Sequence, residues 1–306
     1  MPNSVETMTT PRSALPNSYT DITAREIDFV SRFGRNVEAL RNVLGISRPI
    51  KKQNGTRLAS YVYDITLESG AVDPGCVIPY SKYSITESLM GDVSVEKYAK
   101  AVPIEDVKNY GAEVAIQKSD DAFLTKLQNL VTSKFYTHLL DTTYALTGTY
   151  STFQMAVSMA IGKVKAKFQE LDRDVTDVAV FVNTLDLYEY LGGASVSTQT
   201  VFGMDYIQNF LGAKIMFVTN KITQGKVVAI PVENIDMYFV DPADSDYAKL
   251  GLVYTTDGVT NLIGFHAQGN YSTAVGESFA LLGLTLWNDV ANGVAVITIS
   301  ANPSQA

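Results

Sequence analysis

Residues 56–103 have the sequence TRLASYVYDITLESGAVDPGCVIPYSKYSITESLMGDVSVEKYAKAVP. Apolar and polar residues alternate on both sides of a bend rich in glycine and proline at residues 70–79, which predicts two strands of a hairpin. A lone two-stranded hairpin is at best marginally stable in water, because nothing covers its apolar face. The cover must therefore come from another part of the chain or from another copy of it.

The composition is that of a folded, acidic protein. The chain has 306 residues, of which 46% are hydrophobic, and a formal net charge of −8. This length is enough for one large domain or two medium domains with a substantial core. Proteins that bind nucleic acid directly usually present a basic face, and the basic residues cluster only weakly, at residues 48–57. Direct, sequence-specific binding of nucleic acid is therefore not expected.

No motif that carries chemistry is visible in the sequence. The single cysteine, Cys76, excludes an internal disulfide, and the histidines His138 and His266 lack the partner that a helical zinc pair needs. Neither a phosphate-binding loop nor a nucleophile elbow occurs. We therefore predict no catalytic residue, no cofactor and no metal. Without a signal peptide or a long apolar run, we also expect a soluble protein that contacts no membrane.

The N-terminal half outside the hairpin predicts an arm and two helices. Residues 1–20 are rich in Ser, Thr, Pro and Asn, which indicates a mobile segment. Thr23 and Glu26 fit a capping box at the start of the first helix, which Gly45 ends. Apolar residues at three- and four-residue spacing predict the longest helix at residues 121–146.

The middle of the chain alternates apolar runs with helical patterns, which predicts a compact α/β domain. The periodicity indicates helices at residues 152–171 and 205–211. Short apolar runs indicate buried strands at residues 178–182, 214–218, 227–230 and 235–240.

The order of these parts resembles the major capsid proteins of tailed bacteriophages, the Hong Kong 97 phage fold. The resemblance is most specific in the C-terminal quarter, which is similar to the closing segment of capsid proteins from phages of Gram-positive hosts. The segments that carry it are NLIGFHAQGNY at 261–271, FALLGLTLW at 279–287 and DVANGVAVIT at 289–298.

The resemblance implies an α+β fold in which an N-terminal arm leads into an extended β-hairpin loop. A peripheral domain with a long spine helix and an axial α/β domain complete the fold. On this chain the arm would be 1–50, the hairpin loop 51–103, the peripheral domain 104–149 and 251–289 with the spine helix at 121–146, and the axial domain 150–250 and 290–306.

The resemblance also implies a function. The chain would self-assemble into pentamers and hexamers that form an icosahedral phage head, built in the host cytoplasm and enclosing double-stranded DNA without sequence-specific binding. Only residues 1–20 precede the first predicted helix, so a scaffolding protein, where one is used, would be a separate partner, as would the portal. Two alternatives stay open: an encapsulin-type bacterial compartment, and a tail-associated carbohydrate-binding β protein.

The predicted contacts between subunits follow from the uncovered hairpin. Its apolar face would gain strand pairing and burial on an adjacent copy, whereas the alternative for each residue is packing within its own subunit. The predicted contact residues are Tyr61, Tyr63, Ile65, Tyr80 and Tyr83 in the hairpin loop, with Phe29 and Phe33 in the arm.

Overall fold

The computed structural model describes residues 18–45, 49–143, 145–193 and 196–300. Most of the predicted mobile segment therefore lies outside the described residues. A single turn of π-helix at Glu113–Lys118 leads directly into the third helix. The helices are α1 (Ser18–Leu44), α2 (Ile104–Tyr110), α3 (Ser119–Leu139), α4 (Phe153–Glu170), α5 (Thr184–Leu191) and α6 (Ser245–Lys249).

Among the described residues the strands form four sheets, with the orders β5-β15-β10-β6-β9-β8-β7, β12-β13-β4, β1-β11-β14 and β2-β3. Their bounds are β1 Ile50–Lys51, β2 Thr56–Thr66, β3 Lys82–Val93, β4 Glu96–Pro103, β5 Leu146–Tyr150, β6 Val178–Val182, β7 Gln199–Val201, β8 Met204–Phe210, β9 Ala213–Val218, β10 Lys226–Pro231, β11 Ile235–Phe239, β12 Ile263–Asn270, β13 Val275–Leu282, β14 Thr285–Asn288 and β15 Ala295–Ile299.

The seven-stranded sheet is buried on both faces, as the short apolar runs predict. Every residue of its central strand β6 is buried, and successive side chains point to opposite faces. Val180 packs into the core under α4, whereas Phe181 belongs to the core on the other face. Helix α4 begins where Thr152 accepts a hydrogen bond from the Met155 backbone N–H, and its apolar stripe covers the sheet. The predicted helix at 152–171 is therefore confirmed.

The prediction that Phe29 and Phe33 contact a neighbouring subunit is wrong, because α1 packs into the core of its own chain. Phe29 is 2% exposed and stacks on Phe265 of β12 at a ring-centroid distance of 4.1 Å. Phe33 is 0% exposed and meets Phe202 edge to face. The apolar stripe of α1 is satisfied within the subunit, so residues 18–44 are part of the folded body.

Helix α1 already includes Ser18, so the predicted capping box at Thr23 is also wrong. Glu26 instead lies buried in the middle of the helix. Its carboxylate accepts hydrogen bonds from the Ala267 backbone N–H at 2.5 Å and from the Thr255 hydroxyl at 2.5 Å. The predicted end of the helix at Gly45 is confirmed, since Gly45 adopts a positive φ of 72°.

A buried ion-pair cluster fixes the start of α3 to its neighbours. Asp120 accepts hydrogen bonds from Arg25 of α1 and forms an ion pair with Lys100 of β4, at oxygen–nitrogen distances of 2.5 and 2.6 Å. Arg25 also donates to the hydroxyl of Ser278 on β13. Burial alone would raise the pKa of Asp120, but the hydrogen bonds from Arg25 and Lys100 outweigh it and hold the pKa below its usual range.

Candidate assembly surface

Strands β2 and β3 form the predicted antiparallel ribbon, and its two faces differ sharply. Directly opposite residues share a face, so Tyr63 lies beside Ile85 and Ile65 beside Tyr83. Tyr61 extends the same apolar face towards the base of the ribbon. The other face is polar and pairs Asp64 with Ser84 and Thr66 with Lys82. The ribbon is thus amphipathic.

The apolar face is exposed to solvent. Tyr63 is 66% exposed, Ile65 is 62% exposed and Tyr83 is 73% exposed. Single exposed apolar residues are normal on proteins, whereas a contiguous apolar patch marks an interaction surface. We call the face formed by Tyr61, Tyr63, Ile65, Tyr83 and Ile85 the ribbon face.

The loop that joins the two strands, residues 67–81, extends this exposure. Tyr80 is 93% exposed, and Val77 and Ile78 beside it are also exposed. The hydrogen bonds of the loop are local, such as the bond from the Cys76 backbone N–H to the Asp73 carbonyl. The loop is therefore held by its own residues and presents apolar side chains to solvent.

The base of the ribbon, in contrast, is buried. Leu58 of β2 and Val93 of β3 form a small core with Val240, against which Tyr238 and Trp287 also pack. The body of the chain therefore covers the end of the ribbon nearest to it, and the covering stops where the ribbon face begins.

Sequence reasoning located most of this surface. Tyr61, Tyr63, Ile65 and Tyr83 lie together on the ribbon face, and Tyr80 lies in the adjoining loop. Ile85 belongs to the same face. Its spacing of two residues from Tyr83 indicates this position in the sequence. Val77 and Ile78 follow no strand periodicity, so no pattern indicates their exposure.

A second apolar feature lies where α2 and the π-helix meet the turn between β12 and β13. A cavity of about 380 Å³ is lined by Val102, Ile104, Val107 and Ile116, among others. Tyr271 at the adjacent turn is fully exposed.

The described residues contain no group of three or more His, Cys, Asp or Glu side chains arranged to hold a metal ion. Within the described ranges, no helix combines the length and apolarity needed to cross a membrane.

His138 lies in the last turn of α3, next to the base of the ribbon. Its imidazole meets the indole of Trp287 edge to face at a ring-centroid distance of 4.2 Å, and its buried Nε2 has no hydrogen-bond partner in the part of the chain that the structure describes. Burial lowers the pKa of His138 to about 4, although the nearby Asp141 carboxylate acts in the opposite direction.

We expect the free energy of unfolding to fall as the pH drops from about 6.5 to about 4. The pKa of His138 is lower in the folded chain than in the unfolded chain, so over this range the unfolded chain binds a proton that the folded chain does not. At 1.36 kcal/mol per unit of pKa, the loss is at most about 3 kcal/mol. Chemical denaturation at a series of pH values measures it, and His138→Gln should flatten the profile between these values. An equal slope in both proteins would contradict the assignment.

Comparisons with known proteins identify the fold. No protein-family model matches the chain, and no curated protein matches it. Among solved structures, the capsid of a native GTA particle matches with a TM-score of 0.54 and 7% identity, over 86% of this chain and 90% of that one. A structure of Mycobacterium phage Patience matches with a TM-score of 0.49 and 12% identity, over 92% and 90% of the two chains. The holo-SrpI encapsulin complex from Synechococcus elongatus matches with a TM-score of 0.49 and 10% identity, over 87% and 91%.

The chain therefore has the Hong Kong 97 fold of phage capsid proteins. The predicted resemblance and the α+β fold class are confirmed.

Proposed function

We propose that the chain is the major shell subunit of a phage head, which self-assembles into pentamers and hexamers and encloses double-stranded DNA. The ribbon face is the observation that carries this proposal, since a chain with a capsid fold presents an apolar surface that the described part of its own body leaves uncovered. A neighbouring copy supplies the cover, and the role is structural rather than enzymatic.

The energetics favour many modest contacts over one strong contact. Full burial of a large apolar side chain contributes about 1.5–3 kcal/mol, so three side chains that are more than half exposed contribute several kcal/mol together. Association of two proteins costs an estimated 4–15 kcal/mol in lost freedom. A single ribbon contact is therefore weak. A closed shell is stable because every subunit contacts several neighbours at once.

The predicted domains fit this role with one change. In the proposal, 104–149 and 251–289 form the peripheral domain around α3, and 150–250 with 290–306 form the axial domain. In the proposal the extended loop ends before β4, and the pairing of β4 with β13 along its whole length supports that boundary. A scaffolding protein and a portal are separate chains, and the head is built in the host cytoplasm. The net charge of −8 is compatible with a shell that does not bind its DNA tightly.

A pair of adjacent substitutions tests the ribbon face. Tyr83→Lys places a charge on that face and should abolish or strongly reduce shell formation, because the charge would be buried without a partner on the neighbouring copy. Ser84→Lys is the matched control, since Ser84 lies on the polar face opposite Asp64. Both residues are exposed, so the melting temperature of the unassembled subunit should change little in either variant.

Negative-stain imaging and sedimentation of the two variants give the readout. Shells from Ser84→Lys and none from Tyr83→Lys support the proposal, whereas equal assembly by both contradicts it. The contents of wild-type shells then separate two kinds of container. DNA supports the phage head, and a co-purifying enzyme without DNA supports an encapsulin-type compartment.

A further inference from the structure

The pairing of the ribbon is irregular where it leaves the body. The register of pairing shifts between Leu58 and Ala59, which face Gly91 and Leu89, so Met90 is an extra residue in β3. An extra residue of this kind is a β-bulge, which bends its strand and increases the local twist. The direction of the ribbon is therefore set at the bulge and by the groups that contact it.

Trp287 contacts the bulge at Gly91. Gly91 has a φ of +141°, and a Cβ atom there would lie 2.7 Å from Cη2 and 3.1 Å from Cζ2 of Trp287. Such distances are well below van der Waals contact, and the backbone conformation itself favours glycine. The indole and the backbone of the ribbon are therefore in direct contact, with no room for a side chain between them.

The indole also contacts the body of the chain. It belongs to β14, which pairs with β11, and it meets the imidazole of His138 at the end of α3. Its Nε1 is buried without a hydrogen-bond partner among the described residues, which costs about 1–3 kcal/mol. A phenylalanine would avoid that cost, because it has no N–H group. What a tryptophan has and a phenylalanine lacks here is a six-membered ring that extends far enough to contact Gly91.

The ribbon is long enough to amplify a small change at this contact. Ala59–Thr66 is eight residues, which span about 26 Å at about 3.3 Å per residue. A rotation of about 10° at the base therefore moves the far end by roughly 4–5 Å, which is as large as the 4.0–4.5 Å range of an apolar contact. The angle at the base decides whether the ribbon face meets its target on another copy.

We propose that Trp287, packed against Gly91, is the positioning residue that sets the angle between the ribbon and the body. Through that angle it determines the geometry of the contact between subunits. The link between this angle and the contact between subunits rests on the proposed function. The angle itself is a property of a single chain and can be measured separately.

Spin labels measure the angle. Cys76 is the only cysteine in the sequence and is exposed in the loop of the ribbon, so one label goes there. The second label goes on Lys165→Cys, an exposed position on α4. The doubly labelled chains are mixed with an excess of unlabelled Cys76→Ser chains, so that the measured distance lies within one chain.

Trp287→Phe removes the ring atoms that contact Gly91 and should shift or broaden the distance distribution by several ångströms. Gly91→Ala forces the two groups apart and should shift it as well. Combining Gly91→Ala with Trp287→Phe restores space, so the double variant should lie closer to the wild type than Gly91→Ala alone. This partial rescue is not expected if Trp287 merely adds stability. If Gly91→Ala does not fold, the comparison of Trp287→Phe with the wild type carries the test.

Shell diameter gives the second readout. Variants with an altered angle should give shells of altered diameter, or open assemblies, at an unchanged content of secondary structure. A Trp287→Phe distance distribution that matches the wild type overturns the inference. Wild-type chains that form no shells would instead overturn the proposed function, and the distance measurement would still decide the role of Trp287.

Discussion

Removing the exposed loop of the ribbon should give a folded subunit that no longer forms closed shells. Deleting residues 68–80, with Leu67→Asn and Ser81→Gly, joins the last paired residues, Thr66 and Lys82, by a two-residue Asn-Gly turn. This turn suits a two-residue hairpin, so the ribbon is retained. The deletion removes the exposed Val77, Ile78 and Tyr80 and none of the buried core.

Electron microscopy and thermal unfolding together measure this effect. We expect the variant to melt near the wild-type temperature, because the loop contributes little burial to the subunit, and to remain as small oligomers. Ser69→Ala in the intact loop is the control and should assemble normally. Closed shells of normal appearance from the deletion variant would show that the loop has no role in assembly.

Asp120→Asn should strongly destabilise the folded subunit. The variant leaves Arg25 and Lys100 partly buried without the carboxylate that faces both. Breaking a buried ion pair by removing one partner costs about 3–5 kcal/mol. Asp121→Asn is the matched control, because Asp121 is adjacent, is about half exposed and pairs only at the surface with Arg32. It should cost no more than about 1 kcal/mol.

Urea unfolding of the unassembled subunit measures both losses. Equal losses in the two variants would contradict the role assigned to Asp120. The pH dependence provides an independent check. The pKa of Asp120 is below its usual value of 3.8, so its stabilisation is present above that pH and is lost as the pH falls below it. The loss assigned to His138 occurs at higher pH, between about 6.5 and about 4.

Local patterns predicted the ribbon and the central sheet well, because these elements are determined by neighbouring residues. The alternation on both sides of the bend at residues 70–79 and the apolar run at 178–182 each predict the correct kind of element. The exposed ribbon face follows from the same alternation, once the polar and apolar faces are separated.

Elements that depend on distant partners were predicted less well. Residues 205–211 have apolar residues at helical spacing, yet Met204–Phe210 is the strand β8, because it pairs with β7 and β9. The strand β11, predicted at 235–240 as part of the central sheet, pairs instead with β1 and β14. No local pattern specifies which of several possible partners a strand selects.

The end of α3 shows how a short polar turn overrides periodicity. The apolar stripe of α3 was extended to Leu146, but the helix ends at Leu139. Beyond it, the Asp141 carboxylate accepts hydrogen bonds from the backbone N–H and the hydroxyl of Thr143, and Leu146 begins β5 beside β15. This local bonding by Asp competes with the helix.

The assignment of Phe29 and Phe33 failed for a different reason. An apolar stripe on a helix indicates that another surface covers it, but it does not indicate whether that surface belongs to the same chain. In α1 the cover belongs to the same subunit, where Phe29 stacks on Phe265 and Phe33 meets Phe202. The ribbon face, in contrast, stays exposed beside the residues that the structure describes.

Cryo-electron microscopy of the purified protein can show whether another copy of the chain covers the ribbon face. We expect closed shells in which the ribbon of each subunit lies on an adjacent subunit, with Tyr63, Ile65 and Tyr83 buried at that contact. Small fixed oligomers, or shells in which these three side chains still face solvent, would contradict this expectation.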